Sequence, residues 1–198
     1  IGMSGGGEQA GAAAGIRRRD HRHAHPQGAS GRQICLGRGD RHGQIDMLER
    51  LQATDVGDVK KDSRLKFVAQ TGLGYQGITI NVGKSDLAQK NPLGRDPRVR
   101  EAFELALDRA GIVQVAMDGE AAVGNQWVAP DNPYYAKSMP VPKRDLARAK
   151  ALLAEAGVPN PSFTLMTPTT SDAQKIAQVV QAMVKEAGFD VKIQSTEF

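Results

Sequence analysis

From residue 45 onward, apolar residues recur along the chain at alternating or helical spacing. Residues 45–51 mix apolar and charged positions and predict a short strand or a helical turn. Thr54 and Asp55 offer an N-cap for a short helix running to about Asp62, because a side-chain oxygen there can accept from the free amides of a first helical turn. Residues 65–70 read as a strand that Gly72 and Gly74 break. Residues 75–82 alternate apolar with polar and carry β-branched side chains, the pattern of a second strand. Residues 91–94 predict a turn. Asp96 is then a good cap, and Pro97 stands at a first helical position, where its missing N–H costs nothing. Val99, Ala102, Phe103, Ala106 and Leu107 follow as one helical stripe. Asp108 caps a further short helix with Ile112, Val113 and Val115, closing at Asp118 and Gly119.

Residues 121–142 break the periodicity with Pro130, Pro133, Pro140 and Pro142, and hold Trp127, Tyr134 and Tyr135. An aromatic-bearing loop between regular elements is either a contact surface or a cover for the core edge. Asp145 starts another helix with Leu146, Ala149, Leu152, Leu153 and Ala156 inward and Gly157 as its left-handed stop. Residues 163–166 form a strand. Ser171 or Asp172 caps a helix bearing Ile176, Val179, Val180, Met183 and Ala187, and Gly188 ends it. Phe189, Val191 and Ile193 alternate as the next strand. Strand, helix and strand with short joints predict a βαβ unit with parallel strands and a right-handed crossover. The fold class of residues 64–198 is therefore α/β, with no internal repeat.

Composition changes the picture in one place. The chain has 198 residues and a net charge of +4, and the whole excess lies in residues 1–44. That stretch holds seven arginines against Glu8, Asp20 and Asp40, all four histidines, the single cysteine and half of the glycines, with no aromatic residue. Such a segment has too little apolar surface to bury. Beyond it, 19 basic and 19 acidic residues balance. A basic chain invites a nucleic-acid reading, but the counterion-release drive is weak over a body of zero net charge. No run of about 18 apolar residues is present, which excludes a transmembrane helix. One cysteine excludes an internal disulfide. No signal-peptide pattern is visible at the start, which begins at Ile1.

The candidate chemistry is sparse. Gly72, Gly74 and Gly77 match a G-x-G-x-x-G spacing after a strand, yet a strand pattern follows where a dinucleotide site needs a helix N-terminus. A glycine-rich joint between strands explains it better. His21, His23, His25, Cys35 and His42 are metal-ligand types, but their spacing matches no zinc framework, so no metal and no cofactor are expected. Residues 45–198 hold neither histidine nor cysteine, the commonest general base and thiol nucleophile, which argues against an enzyme. Arg95, Arg98 and Arg100, and Lys143, Arg144, Arg148 and Lys150, interleave with acids (Arg100 with Glu104, Asp145 with Arg148) and read as solvated faces.

Together, GQIDMLERL, LKFVAQTGLGYQGITINVG, NPLGRDPRVREAFELALDR and KRDLARAKALLAEAGVP resemble the family 5 extracellular solute-binding proteins, and the following segment from Ser162 to Phe198 is similar to the same family's next stretch. The resemblance covers about residues 43–198. It is most specific in the D-P-R-V-R-E-A-F-x-x-A-x-D-R helix followed by K-A-x-x-L-L-x-E-A-G.

The resemblance implies a two-lobed, type II periplasmic-binding-protein-like receptor, of which this chain would be an internal fragment. Residues 44–83 would be the end of the first lobe plus a hinge strand, and residues 84–198 part of the second lobe, behind a lead at 1–43 that is either a disordered basic arm or an out-of-frame read. The implied function is non-enzymatic: it binds peptides or similar solutes in the periplasm or another extracytoplasmic space. The solute then passes to the membrane permease of an ABC importer, and the full-length receptor is a monomer. The acidic residue that pairs with a peptide's α-amino group in such relatives would lie downstream of this segment. By position, Tyr75, Gln76, Asn81, Asn125, Gln126 and Trp127 are the ligand-facing candidates, since Tyr and Trp offer rigid faces and Asn and Gln bond peptide groups. Hinge packing and loop closure are the competing roles. A nucleic-acid-binding protein using the basic arm is the alternative function, and a small α/β enzyme is a third.

Overall fold

The computed structural model describes residues 5–6, 13–16, 47–48, 51–69, 71 and 74–197. The four histidines, Cys35, Gly72 and most of the basic lead lie outside the described residues. The chain divides into two units, residues 9–72 and residues 73–198 with 1–8.

The smaller unit is a three-stranded antiparallel sheet with one helix. Its strands are β2 (Ala13–Ile16), β3 (Met47–Leu48) and β4 (Leu65–Val68), with β2 in the centre; β1 (Gly5–Gly6) belongs to the larger unit. Ala14 faces Leu48, and the four residues of β2 pair with β4 from Ala13 opposite Val68 to Ile16 opposite Leu65. The alternation of β4 is real. Leu65 and Phe67 are half-buried and pack against α1 (Ala53–Lys61), whose Val56 and Val59, three residues apart, form a small core with Leu51. The Lys60 ammonium lies 4.9 Å from the centre of the Phe67 ring, a cation–π contact. The helix starts at Ala53 with Gln52 as its cap residue, two positions before the expected Thr54, and no side chain caps it.

The larger unit begins with an extended segment at residues 75–82. The sequence alternation predicts a strand there. Ile78 and Ile80 do turn toward the core while Gly77, Thr79 and Asn81 stay exposed, but only Gln76 makes a bridge. Alternation reports which side is buried; a strand also needs a neighbour. A short helix, α2 (Asp86–Lys90), is followed by a second one, α3 (Pro92–Arg95), which stands where a turn was expected at 91–94. Ser85 Oγ accepts from the Ala88 amide and Asn91 Oδ1 from the Leu93 amide, so each has its own cap. Gly94 lets the chain fold back here. A Cβ on it would stand 2.3 Å from the carbonyl oxygen of Ala88 and 2.7 Å from that of Asn81.

The capping aspartates then act as the sequence predicts. Asp96, Asp108 and Asp145 accept from the amides of Arg98, Gly111 and Arg148, opening α4 (Pro97–Leu105), α5 (Arg109–Ala116) and α6 (Leu146–Glu155). Gly157 closes the α6 segment at φ 70° and Gly188 the α7 segment at φ 112°. A two-residue strand, β5 (Ala122–Val123), pairs with β1. Beyond it lie β6 (Ser162–Pro168), α7 (Ser171–Lys185) and β7 (Asp190–Thr196). Thr170 is the residue before α7, and no side chain caps that helix, contrary to the expected role of Ser171 or Asp172. Strands β6 and β7 pair in parallel along their whole length, Ser162 with Asp190 through Pro168 with Thr196, which confirms the βαβ unit.

The core sits where α4, α6 and α7 meet this sheet. Phe103, Phe163 and Phe189 meet edge to face, with centroids 5.5, 5.6 and 6.3 Å apart. Around them Val99, Ala102, Ala106, Ala149, Leu152, Leu153, Val180 and Val184 are buried. The arginines are not merely solvated. Arg100 donates to the carbonyls of Leu93 and Gly94 rather than pairing with Glu104, and Arg98 donates to the Glu155 carbonyl at 2.8 Å. Arg144 bonds the carbonyls of Ala106 and Met183 and the Glu186 carboxylate. These cations satisfy carbonyls that helix ends leave open. Among the described residues, no helix is long and apolar enough to cross a membrane.

Candidate functional site

Two features of the larger unit can meet a ligand: an apolar cavity and a stapled aromatic loop. The cavity has a volume of about 560 Å³. Residues 76–81 form one wall and residues 163–168 of β6 another, over a floor from α5 and α7 that includes Ile112, Met117, Ile176 and Val180. Gln76 and Asn81 therefore border it, whereas Tyr75, Asn125, Gln126 and Trp127 do not. The six candidates are not brought into one cluster. Tyr75 is half exposed, and Asn81 Oδ1 accepts from the Gly83 amide.

The loop at residues 124–142 is held by side-chain amides. Asn125 Nδ2 donates to the carbonyls of Met139 and Pro140, at 3.1 and 3.0 Å, and its Oδ1 accepts from the Tyr135 hydroxyl at 2.8 Å. Gln126 exchanges two bonds with the backbone of Ala136: its Nε2 donates to the carbonyl and its Oε1 accepts from the amide. Prolines cannot donate, so a loop rich in them has few backbone bonds of its own, and these amides supply what is missing. Trp127, the sole tryptophan, stands 77% exposed on this frame, and Tyr134 is 87% exposed. Side-chain hydrogen bonds thus hold a loop on which two large aromatic rings stand in solvent. The sequence pointed to Asn125 and Gln126 but not to Tyr135 as the group that locks Asn125; the only signal was its place in the same proline-rich stretch.

Some of the unit's charges form ion pairs, such as Arg98 with Asp96 and Arg144 with Glu186. Arg109 is buried and donates to Glu104 Oε1 at 2.8 Å, while its Nε and Nη1 have no acceptor among the described residues. Nothing in the sequence marked it. The hydrogen bonds and charge of Arg98 hold the Asp96 carboxyl below its usual range. Burial pushes the Asp172 carboxyl up, nearby Lys175 works against that, and Asp118 adds to it. Among the described residues, no three His, Cys, Asp or Glu side chains gather as metal ligands.

Comparison with known proteins decides the family. The pattern described as bacterial extracellular solute-binding proteins, family 5 Middle, matches residues 38–198. The chain belongs to this family. It is a family of solute-binding proteins, not of enzymes, and its members are extracellular. Among relatives, the chain is 35% identical to the oligopeptide-binding protein AppA of Bacillus subtilis, across 74% of this chain and 28% of AppA. It is 29% identical to the probable di/tripeptide-binding protein 5 of Pseudomonas aeruginosa, across 80% of this chain and 29% of that protein. A glutathione-binding protein, GsiB of Salmonella choleraesuis, is 31% identical across 67% of this chain and 25% of its own length. The structure of AppA in complex with a nonapeptide superposes with a TM-score of 0.57 at 32% identity, over 74% of this chain and 31% of AppA. The chain thus spans under a third of the length of these relatives, and its mixed α/β fold matches part of a periplasmic-binding-protein structure.

Proposed function

We propose that the chain is the middle part of a two-lobed, type II periplasmic-binding-protein-like receptor that closes on a peptide or similar solute and hands it to the membrane permease of an ABC importer. In this reading residues 44–83 end the first lobe and carry the hinge crossing, as the extended segment at 75–82 rather than the paired strand expected, and residues 84–198 are part of the second lobe. The receptor works as a monomer in the periplasm or an equivalent extracytoplasmic space. The observation that carries the reading is the family match at residues 38–198, together with relatives named for oligopeptide, di- or tripeptide and glutathione binding. All three named solutes are peptides.

The solute-facing surface in this reading is the stapled loop, with Trp127 stacking on the solute while Asn125 and Gln126 fix the loop that presents it. Tyr75 and Gln76 face the solute from the extended segment, with Asn81 further along it. Aromatic faces and amides suit a peptide, which offers flat amide groups and both donors and acceptors. The test is calorimetric titration of the receptor carrying this chain with peptides of two to nine residues. Saturable binding of at least one length class is expected. Heat from a non-peptide solute but from no peptide would overturn the peptide assignment.

A further inference from the structure

The left-handed position that follows a helix ordinarily belongs to glycine, because a side chain there is strained. At the end of α5 that position is Asp118, at φ 48°, and the glycine comes one residue later. Among the described residues, Asp118 alone has a positive φ without being glycine. It is also the sole aspartate in the chain that glycine follows, and no asparagine precedes a glycine. Both residues are exposed, and a Cβ on Gly119 would meet only the Gln114 side-chain oxygen, at 3.5 Å. No side chain therefore hinders the Gly119 nitrogen from closing a five-membered ring onto the Asp118 carboxyl carbon. We propose that Asp118–Gly119 is a site of spontaneous covalent modification, at which the backbone isomerises to isoaspartate, and that the hydrogen bond closing α5 sets the rate.

In the first step the Gly119 nitrogen attacks Asp118 Cγ. A C–N bond forms, and the amide proton and the carboxyl hydroxyl leave as water, which gives a cyclic imide. In the second step water adds to the imide carbonyl on the Cα side, and the C–N bond there breaks. The chain then runs through Cγ, and the former main-chain carbonyl of Asp118 is a free carboxylate. One water leaves and one returns, so no other reactant is needed. Other aspartates are better protected. Asp62, which precedes Ser63, has both carboxyl oxygens held by Arg64, and Asp172 is buried in the first turn of α7. What restrains Asp118 is the Gly119 amide, which donates to the Val113 carbonyl at 3.1 Å. A nitrogen whose proton is held in this way does not attack, so the reaction waits for the last turn of α5 to open. Helix ends undergo such local opening at low cost. The product has one more backbone carbon between α5 and β5, just ahead of the aromatic loop, and it disrupts the turn that the Val113 bond closes. The inference rests on neither the family nor the solute, so its failure leaves the peptide reading intact.

Ageing the 198-residue chain at neutral pH in water labelled with heavy oxygen tests it. Its peptides are read by mass spectrometry, with fragmentation that separates aspartate from isoaspartate. Isoaspartate carrying the heavy label is expected at residue 118, accumulating about tenfold or more faster than at any other described aspartate, because only this site is both unhindered and at a helix end that opens. Denaturant below the unfolding midpoint is expected to raise the rate in proportion to hydrogen exchange at the Gly119 amide, since both need the same opening. Asp118→Asn, which the left-handed position tolerates, is expected to close the same imide with loss of ammonia and to yield both aspartate and isoaspartate there. The proposal is overturned if isoaspartate forms at residue 118 no faster than elsewhere, or forms without the label. A rate that does not follow Gly119 exchange, or one as fast as in a free peptide of residues 113–123, would show that the end of α5 is no gate and would overturn it too.

Discussion

At the residue scale, the capping aspartates show why local chemistry is the most legible part of a sequence. Asp96, Asp108 and Asp145 each satisfy an amide two or three residues ahead, and nothing distant enters that decision. Asp96→Ala is expected to destabilise the chain by about 1 kcal/mol in denaturant unfolding, the ordinary worth of such a cap. The folded carboxyl of Asp96 lies below its unfolded value. Its contribution is therefore present above the unfolded pKa and lost as pH falls through the folded one, so wild type and variant should converge in strong acid. Asp172 behaves oppositely. Its pKa is raised in the folded chain by burial, so ionising it costs stability, and this cost grows as pH rises from the unfolded value. Asp172→Asn is expected to raise the melting temperature at neutral pH, with the gain vanishing in acid. An unchanged or lower melting temperature at neutral pH would mean that the charge is held favourably at the α7 N-terminus. Asp172 was unreadable in advance as a buried group, because a carboxylate in a first helical turn is normally exposed.

At the element scale, one failure came from a distant partner and another from short length. The alternation at 75–82 was read correctly as one side in and one side out, yet the segment is not a paired strand, because pairing is decided by elements far along the chain. The helices α2 and α3 were missed because five and four residues are too short to show a period. The βαβ unit was fully legible, since a fifteen-residue amphipathic helix between two alternating runs leaves few other arrangements. The proline-rich loop could be located but not its internal order. That order rests on Asn125, Gln126 and Tyr135 meeting across ten to fifteen residues. Asn125→Ala removes three of those bonds. It is expected to lower the fluorescence anisotropy of Trp127 while the unfolding midpoint of the larger unit shifts little, because the loop lies outside the aromatic core. An unchanged anisotropy would show that the staple does not hold the ring.

At the scale of the whole molecule, composition misled and segmentation corrected it. The charge excess that suggested nucleic acid lies in the first 44 residues, and the family match covers residues 38–198. The family was legible because several of its sequence motifs follow one another in order, within the stretch that the family match covers. The placement of the candidate residues was not, since the structure divides them between a cavity wall and a loop. The central claim is that this loop presents Trp127 to a peptide. The direct measurement is a titration of the receptor carrying this chain with a peptide series, following Trp127 emission after any tryptophan elsewhere has been replaced by phenylalanine, and repeating the titration with Trp127→Ala by calorimetry. We predict a saturable change in emission and a weakening of about tenfold or more in the alanine variant, the size expected when a stacking ring is lost. Peptide binding that leaves the emission unmoved and the affinity unchanged in Trp127→Ala would contradict the account.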